Sequence, residues 1–282
     1  MLKIDENQVI PESSADISML VEYMSEFLHN ANVVNEQDDE RALFYRGQSD
    51  CSFSLTPTVF RNNLLEKEHK LIQDLLLNSP DEFSSIPNKL ERLIKMQHYG
   101  LPTRLLDVTL NPLVALFFAC NENPDKDGEI FIFYDYIQHS SDVITRCIVE
   151  LTEYTGASER QMIGFLSERG FNNPELGKIT TTSHVLIEAP KNNERIKRQQ
   201  GAFLIVGFCG KEGNNPYQKE HFDLKPLLIK SAGDEVERSL IIPQKHKKQL
   251  LVELEAIGIN HAFLFPELEH QTSYLKRKHE GV

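Results

Sequence analysis

Ala42-Leu43-Phe44-Tyr45-Arg46-Gly47-Gln48-Ser49 reads as a short apolar strand that ends on an arginine and a glycine. A second stretch answers it: Gln97-His98-Tyr99-Gly100-Leu101-Pro102-Thr103-Arg104-Leu105-Leu106-Asp107-Val108-Thr109. It runs on into Asn111-Pro112-Leu113-Val114-Ala115-Leu116-Phe117-Phe118-Ala119. Each stretch sets an arginine beside glycine or small hydroxyl residues at the end of an apolar run. A fold can use such a place to hold a polar ligand at the rim of a buried sheet. Packing alone does not require these groups.

Working outward, residues 12–30 read as a capped amphipathic helix, and Glu66 to Leu77 and Lys89 to His98 as two more, the last closed by Gly100. Residues 101–106 are a loop or short strand. Asp107 or Thr109 can cap the next helix, Leu113 to Cys120, whose apolar character on nearly every side predicts burial. Strands are predicted at Gly128–Tyr134, Val185–Glu188, Gly201–Phe208, Leu240–Ile242 and 262–265, with helices over about 141–178 and from Lys245 to Ile257. Strands and helices alternate without an even βα rhythm. The expected class is therefore α+β, a mixed or mainly antiparallel sheet surrounded by helices. No linker rich in Gly, Ser or Pro divides the chain, so one domain is expected over 1–282, with its core at about 20–275 and a helical insertion at about 141–180.

At 282 residues the chain can bury a substantial core, and its 40% hydrophobic and 26% charged residues are ordinary globular values. A formal charge of −12 argues against a surface that coats nucleic acid or an anionic membrane, and leaves room for a local basic groove. The segment Met1 to Asn7 lacks the apolar core of a signal peptide, and the longest apolar run, Leu113 to Cys120, falls far short of the roughly 18 residues of a membrane span. Cys51, Cys120, Cys147 and Cys209 form no CxxC and read as reduced thiols of a cytoplasmic protein.

Each candidate site group has two readings. Arg46 offers a planar fork for phosphate or carboxylate, and Gly47 an open approach to the backbone; otherwise Arg46 is a strand-end arginine paired with a carboxylate. Thr103, Arg104, Asp107 and Thr109 can present an anion site at a helix N-terminus, or Arg104 and Asp107 can clamp the loop. His98 and Tyr99 can stack on a ligand ring or simply pack. In Arg198-Gln199-Gln200-Gly201-Ala202-Phe203 the amides can reach a ligand at the sheet edge, or the stretch is a turn ending on glycine. Lys245-His246-Lys247-Lys248 reads as a solvated helix face. His261, Glu267, Glu269 and His270 have no metal spacing, so no metal is expected. GxSxG, Walker, HExxH and GxGxxG motifs are absent from the sequence.

Phe44-Tyr45-Arg46-Gly47-Gln48, Gln97 to Asp107, Asn111-Pro112 and Ala115 to Ala119 together resemble an FRG domain. The stretch Arg198 to Phe203 and the late Ile241-Ile242-Pro243, Gly258-Ile259 and Phe265-Pro266-Glu267-Leu268 fit the same pattern. The family is named for its (Phe/Tyr)-Arg-Gly motif and occurs in bacteria and phages. A second resemblance, to arginine-type ADP-ribosyltransferases, implies chemistry and an ADP-ribosyltransferase-like fold. In that family an aromatic-Arg-Gly step holds NAD, a small-hydroxyl motif supports the nicotinamide pocket, and a glutamate stabilises the ribosyl cation. Arg46 matches the first, Thr109 or Thr103 the second, and Gln200 falls near the third. A neutral amide cannot offset positive charge as a carboxylate does, and Glu188 or Glu194 could substitute.

The resemblance thus implies a pocket in which Arg46, Thr109 and Gln200 act on the ligand and Gly47, Gln48, His98, Tyr99, Thr103, Arg104 and Asp107 bind it. NAD would be substrate rather than resident cofactor, in a toxin or anti-phage effector with a protein or nucleic-acid target. The alternative is a non-catalytic module that binds a nucleotide or a protein, its arginines serving as structural clamps.

Overall fold

The computed structural model describes residues 18–35, 41–156, 158–172, 174, 176–177, 184–207 and 239–280. Its centre is a seven-stranded sheet: β1 (Ala42–Gln48), β2 (Leu105–Thr109), β3 (Gly128–Asp135), β4 (Ile137–Gln138), β5 (His184–Glu188), β6 (Gly201–Val206) and β7 (Ser239–Ile242). The spatial order is β4-β5-β6-β2-β1-β3-β7. Only β4 and β5 run parallel, so the sheet is mixed and the class is α+β.

Register decides what each face carries. Tyr45 pairs with Thr109 and Ile132, Gly47 with Ile130, Asp107 with Phe203, and Leu105 with Ile205. Pleating therefore puts these residues on one face and Phe44, Phe133, Leu106, Val108, Leu204 and Leu186 on the other. The second set forms its own buried cluster with Leu55, and Phe60 packs against it.

The first face is covered by two separate helical groups. Over β2, β6 and β5 lie α4 (Lys89–His98), α6 (Val143–Glu150) and α7 (Glu159–Glu168), whose Leu93, Ile148 and Leu166 pack with Leu105, Ile187 and Ile205. Over β1, β3 and β7 lie α1 (Ser18–Asn35), α5 (Pro112–Cys120) and α9 (Gln244–Ala256), which bury Phe27, Leu116 and Leu250 against Ile130, Ile132 and Ile242. Each large apolar side chain so buried contributes about 1.5–3 kcal/mol. Between the two groups, where β1 meets β2, the face stays open. The remaining helices are α2 (Glu68–Asn78), α3 (Pro80–Phe83), α8 (Glu194–Arg198), α10 (His261–Leu264) and α11 (Leu268–Glu280).

Glycine sets how close α5 comes. A Cβ on Gly47 would stand 1.8 Å from the Ala115 carbonyl oxygen, and one on Gly128 2.3 Å from that of Ala119. Gly47 thus admits the backbone of α5, a packing requirement that the sequence alone does not show.

Three expectations change. Asp107 and Thr109 belong to β2, and α5 is capped by Asn111, whose Oδ1 accepts from the Leu113 amide at 3.0 Å. The strand expected at 262–265 is largely helix α10, because Asn260 caps it through the Phe263 amide and four apolar residues alone do not fix a period. Lys247 is no solvated residue: it is 2% exposed, and its ammonium donates to the carbonyls of Ser49, Glu122 and Asn123 at 2.6, 3.2 and 3.0 Å. The start of the first helix, residues 12–17, and Cys209 lie outside the described residues. Among the described residues no helix is long and apolar enough to cross a membrane.

Candidate functional site

The opening between the helical groups is a cleft of about 310 Å3. Its floor is Tyr45, Arg46 and Gly47 of β1, Asp107, Val108 and Thr109 of β2, and Phe203 of β6. Its walls are Ile94, Gln97 and His98 of α4, Phe118 of α5, and Arg195, Ile196 and Gln199 around α8.

The floor exists because β1 and β2 meet at one residue pair, Tyr45 with Thr109. Beyond it the Asp107 carbonyl takes its hydrogen bond from a side chain: Arg46 Nη1 donates to it at 2.7 Å. Gln48, with its amide oriented to satisfy its neighbours, accepts from Arg46 Nε at 3.3 Å and donates to the Phe53 carbonyl at 2.9 Å. Arg46 Nη2 has no hydrogen-bond partner among the described residues. Burial lowers the guanidinium pKa, Asp107 raises it and Arg61 lowers it further, yet an arginine stays charged at neutral pH. A partly desolvated cation therefore lines the cleft where the two strands part.

The Asp107 side chain is fixed from behind. Thr103 Oγ1 donates to Gln97 Oε1 at 2.5 Å, and Gln97 Nε2 donates to Asp107 Oδ1 at 3.0 Å. Thr103 is fully buried and its amide and carbonyl hold the Thr58 turn, so it orients Asp107 without lining the cleft. Thr109 lines the cleft, but its hydroxyl donates to the Gln199 carbonyl at 2.6 Å and accepts from the Asn111 amide at 3.0 Å.

Arg104 is elsewhere. It is 3% exposed and grips Glu68 through Nε, at 2.9 Å, and through Nη2, while Nη1 donates to the Val206 carbonyl at 3.1 Å. The clamp anticipated with Asp107 is made instead with Glu68 of α2. Gln200 is exposed at the turn before β6, with φ +45°, and does not line the cleft; its neighbour Gln199 does. Glu188 and Glu194 are exposed and paired with Lys191 and Lys197. His98 lines the cleft and Tyr99, 70% exposed, stands beside it in edge-to-face contact at 5.3 Å.

Among the lining residues, Gln97, Phe118 and Arg195 are not singled out as site residues by the sequence. Gln97 sits inside the quoted motif, and its place beside His98 on α4 was the available signal. Arg195 is hidden in the charged run Glu194 to Arg198; here it covers the Phe265 ring at 4.6 Å while reaching the cleft. Glu267 also emerges, with Oε1 3.8 Å from His98 Nε2 and Oε2 buried without a hydrogen-bond partner among the described residues. Among the described residues no group of three or more His, Cys, Asp or Glu could hold a metal ion.

Residues 41–128 match the family model described as FRG domain. The matched stretch contains β1, α4, β2 and α5, which supply Arg46, Gln97, His98, Asp107 and Phe118 of the cleft. No curated protein and no solved structure matches the chain.

Proposed function

We propose that this cleft binds a nucleotide and that the nucleotide is NAD. Arg46 and Arg195 supply positive charge for its phosphates, and Phe118, Phe203 and His98 supply flat surface for a ring. The observation that carries the reading is Arg46: one Nη is bound to a backbone carbonyl, the other has no hydrogen-bond partner among the described residues, and the residue lines the floor of a cleft. The charge is local, since the chain as a whole carries −12.

The chemistry proposed with it is cleavage of the nicotinamide–ribose bond. The pyridine nitrogen leaves with the bonding electron pair, and C1′ of the ribose gains an oxygen from water or from an acceptor, which loses a proton. Positive charge builds on the ribose, and a carboxylate facing it lowers the barrier. Asp107 is the carboxylate that lines the cleft, and Gln97 holds its orientation. Use in a bacterial or phage toxin or defence effector belongs to the same proposal.

A second reading, binding without turnover, draws on Thr109, whose hydroxyl is committed to backbone partners. Calorimetry with NAD and with ADP-ribose, beside an assay of nicotinamide release, tests both. Wild type binds NAD and Arg46→Ala binds it at least about ten-fold more weakly. Binding without release selects the second reading. Absence of binding up to about 1 mM of either compound overturns both.

A further inference from the structure

Beside the cleft lies a second hollow of about 250 Å3. The two share Ile94, His98 and Ile196 as lining, so they adjoin as inner and outer compartments of one groove. The second compartment differs in chemistry. No arginine lines it; its distinctive polar groups are Tyr99, Lys95, Glu91 and the amides Asn192 and Asn193.

Size makes the second compartment necessary if the ligand has two halves. Small-molecule sites occupy roughly 300–1,000 Å3, and the first compartment alone is at the bottom of that range. It can take one phosphorylated nucleoside but not two. Tyr99 is 70% exposed, an unusual placement for a ring this large, and its edge-to-face contact with His98 holds it at the boundary. An exposed tyrosine held by a neighbour is a stacking platform that costs little side-chain entropy to use. The amide of Asn193 caps α8, with Oδ1 accepting from the Arg195 amide at 2.7 Å, so the floor near the platform is fixed as well.

We infer that the groove takes a dinucleotide, its phosphates between Arg46 and Arg195 and its second base stacked on Tyr99 in the outer compartment. The inference rests on the NAD reading above and adds to it where the second base sits and which residue selects it. A mononucleotide fills the inner compartment alone and does not meet Tyr99.

The probes are NAD and its two halves, AMP and nicotinamide mononucleotide, titrated into the full chain by calorimetry. NAD should bind about ten-fold or more tighter than either half, and Tyr99→Ala should remove about that factor for NAD, the usual effect of deleting one stacked base. The tighter half should bind Tyr99→Ala as it binds wild type, and Tyr99→Phe should behave as wild type toward all three. Equal affinity for NAD and its tighter half, or no effect of Tyr99→Ala on NAD, overturns the inference while leaving nucleotide binding intact. Equal losses for NAD and both halves also overturn it, since Tyr99 would then act on the inner compartment. If none of the three binds wild type, the nucleotide reading itself fails and the inference goes with it.

Discussion

Arg46 and Asp107 lie on neighbouring antiparallel strands but are joined by a side chain: the guanidinium bonds the Asp107 carbonyl at 2.7 Å where the β1–β2 ladder has stopped. One residue thus closes the sheet and floors the cleft. Arg46→Lys keeps the charge and loses the fork, so it should weaken NAD binding by about ten- to a hundred-fold, matching the roughly 1.5–3 kcal/mol of a charged hydrogen bond. Its urea midpoint should fall only slightly, because one backbone carbonyl is left to water. NAD affinity equal to wild type would remove Arg46 from the phosphate role.

Gly47→Ala should be far more damaging than its size suggests. The new methyl group would stand 1.8 Å from the Ala115 carbonyl oxygen and 2.8 Å from the Ala119 amide nitrogen, both backbone atoms of α5. Neither can swing aside. Overpacking a rigid core costs about 1–3 kcal/mol and sometimes more, and here a helix must move off the sheet. Thermal unfolding should show a loss of at least about 3 kcal/mol, at the severe end for single substitutions. A melting temperature within error of wild type would show that α5 does not pack this closely.

Arg104 should prove structural. It and Glu68 are 3% exposed each, so removing one takes the ion-pair partner away from the other's buried charge. Arg104→Ala or Glu68→Ala should each cost about 3–5 kcal/mol, and the double replacement Arg104→Met with Glu68→Leu should recover much of it. Urea denaturation of the three variants checks this. A double variant as unstable as the singles would mean that the remaining backbone contacts, not the ion pair, hold the loop.

The local parts of this arrangement were legible in the sequence, and the long-range pairings were not. The strand at Leu43 to Tyr45, the helix ending at Gly100 (φ +88°) and the buried Leu113 to Cys120 helix follow from apolar period and glycine placement. The partner of Arg104 does not follow, because Glu68 opens a different helix 36 positions away and nothing nearby marks it. Lys247 hides in a run of basic residues, and only its three carbonyl partners from two distant turns reveal that it is buried. The cleft shows the same division: Arg46 and Asp107 announce themselves in motifs, whereas Arg195 enters through topology that no spacing encodes.

Gln200 supplies a conformational test. Its φ of +45° is left-handed, a region that costs an ordinary residue and suits glycine. The turn it makes is held by backbone bonds, Leu110 N–H to its carbonyl and its own N–H to the Lys197 carbonyl, both at 3.1 Å. Gln200→Gly should therefore leave stability within about 1 kcal/mol of wild type and leave NAD affinity unchanged. A loss of NAD binding or turnover in this variant would show that the amide reaches the ligand after all.

Alkaline pH should unfold the protein through α5. Burial pushes the Cys120 thiol from 9.0 up to about 12, with the nearby Lys247 ammonium pulling the other way. Between those values the folded protein keeps a proton that the unfolded chain releases. The stability this provides is complete below pH 9 and is lost as pH rises toward 12, at about 1.4 kcal/mol per pH unit. Tyr45, raised by burial from 10.0 to about 12, adds to the same slope above pH 10. Lys247 acts in the opposite sense: desolvation lowers its pKa, so below 10.5 the unfolded chain binds the extra proton and stability rises with pH. Urea unfolding from about pH 8 to about pH 11 should show a fall in wild type that is shallower in Cys120→Ala by about 1 kcal/mol per pH unit. Parallel slopes would mean that the thiol does not titrate in this window and that the alkaline sensitivity lies with the tyrosines.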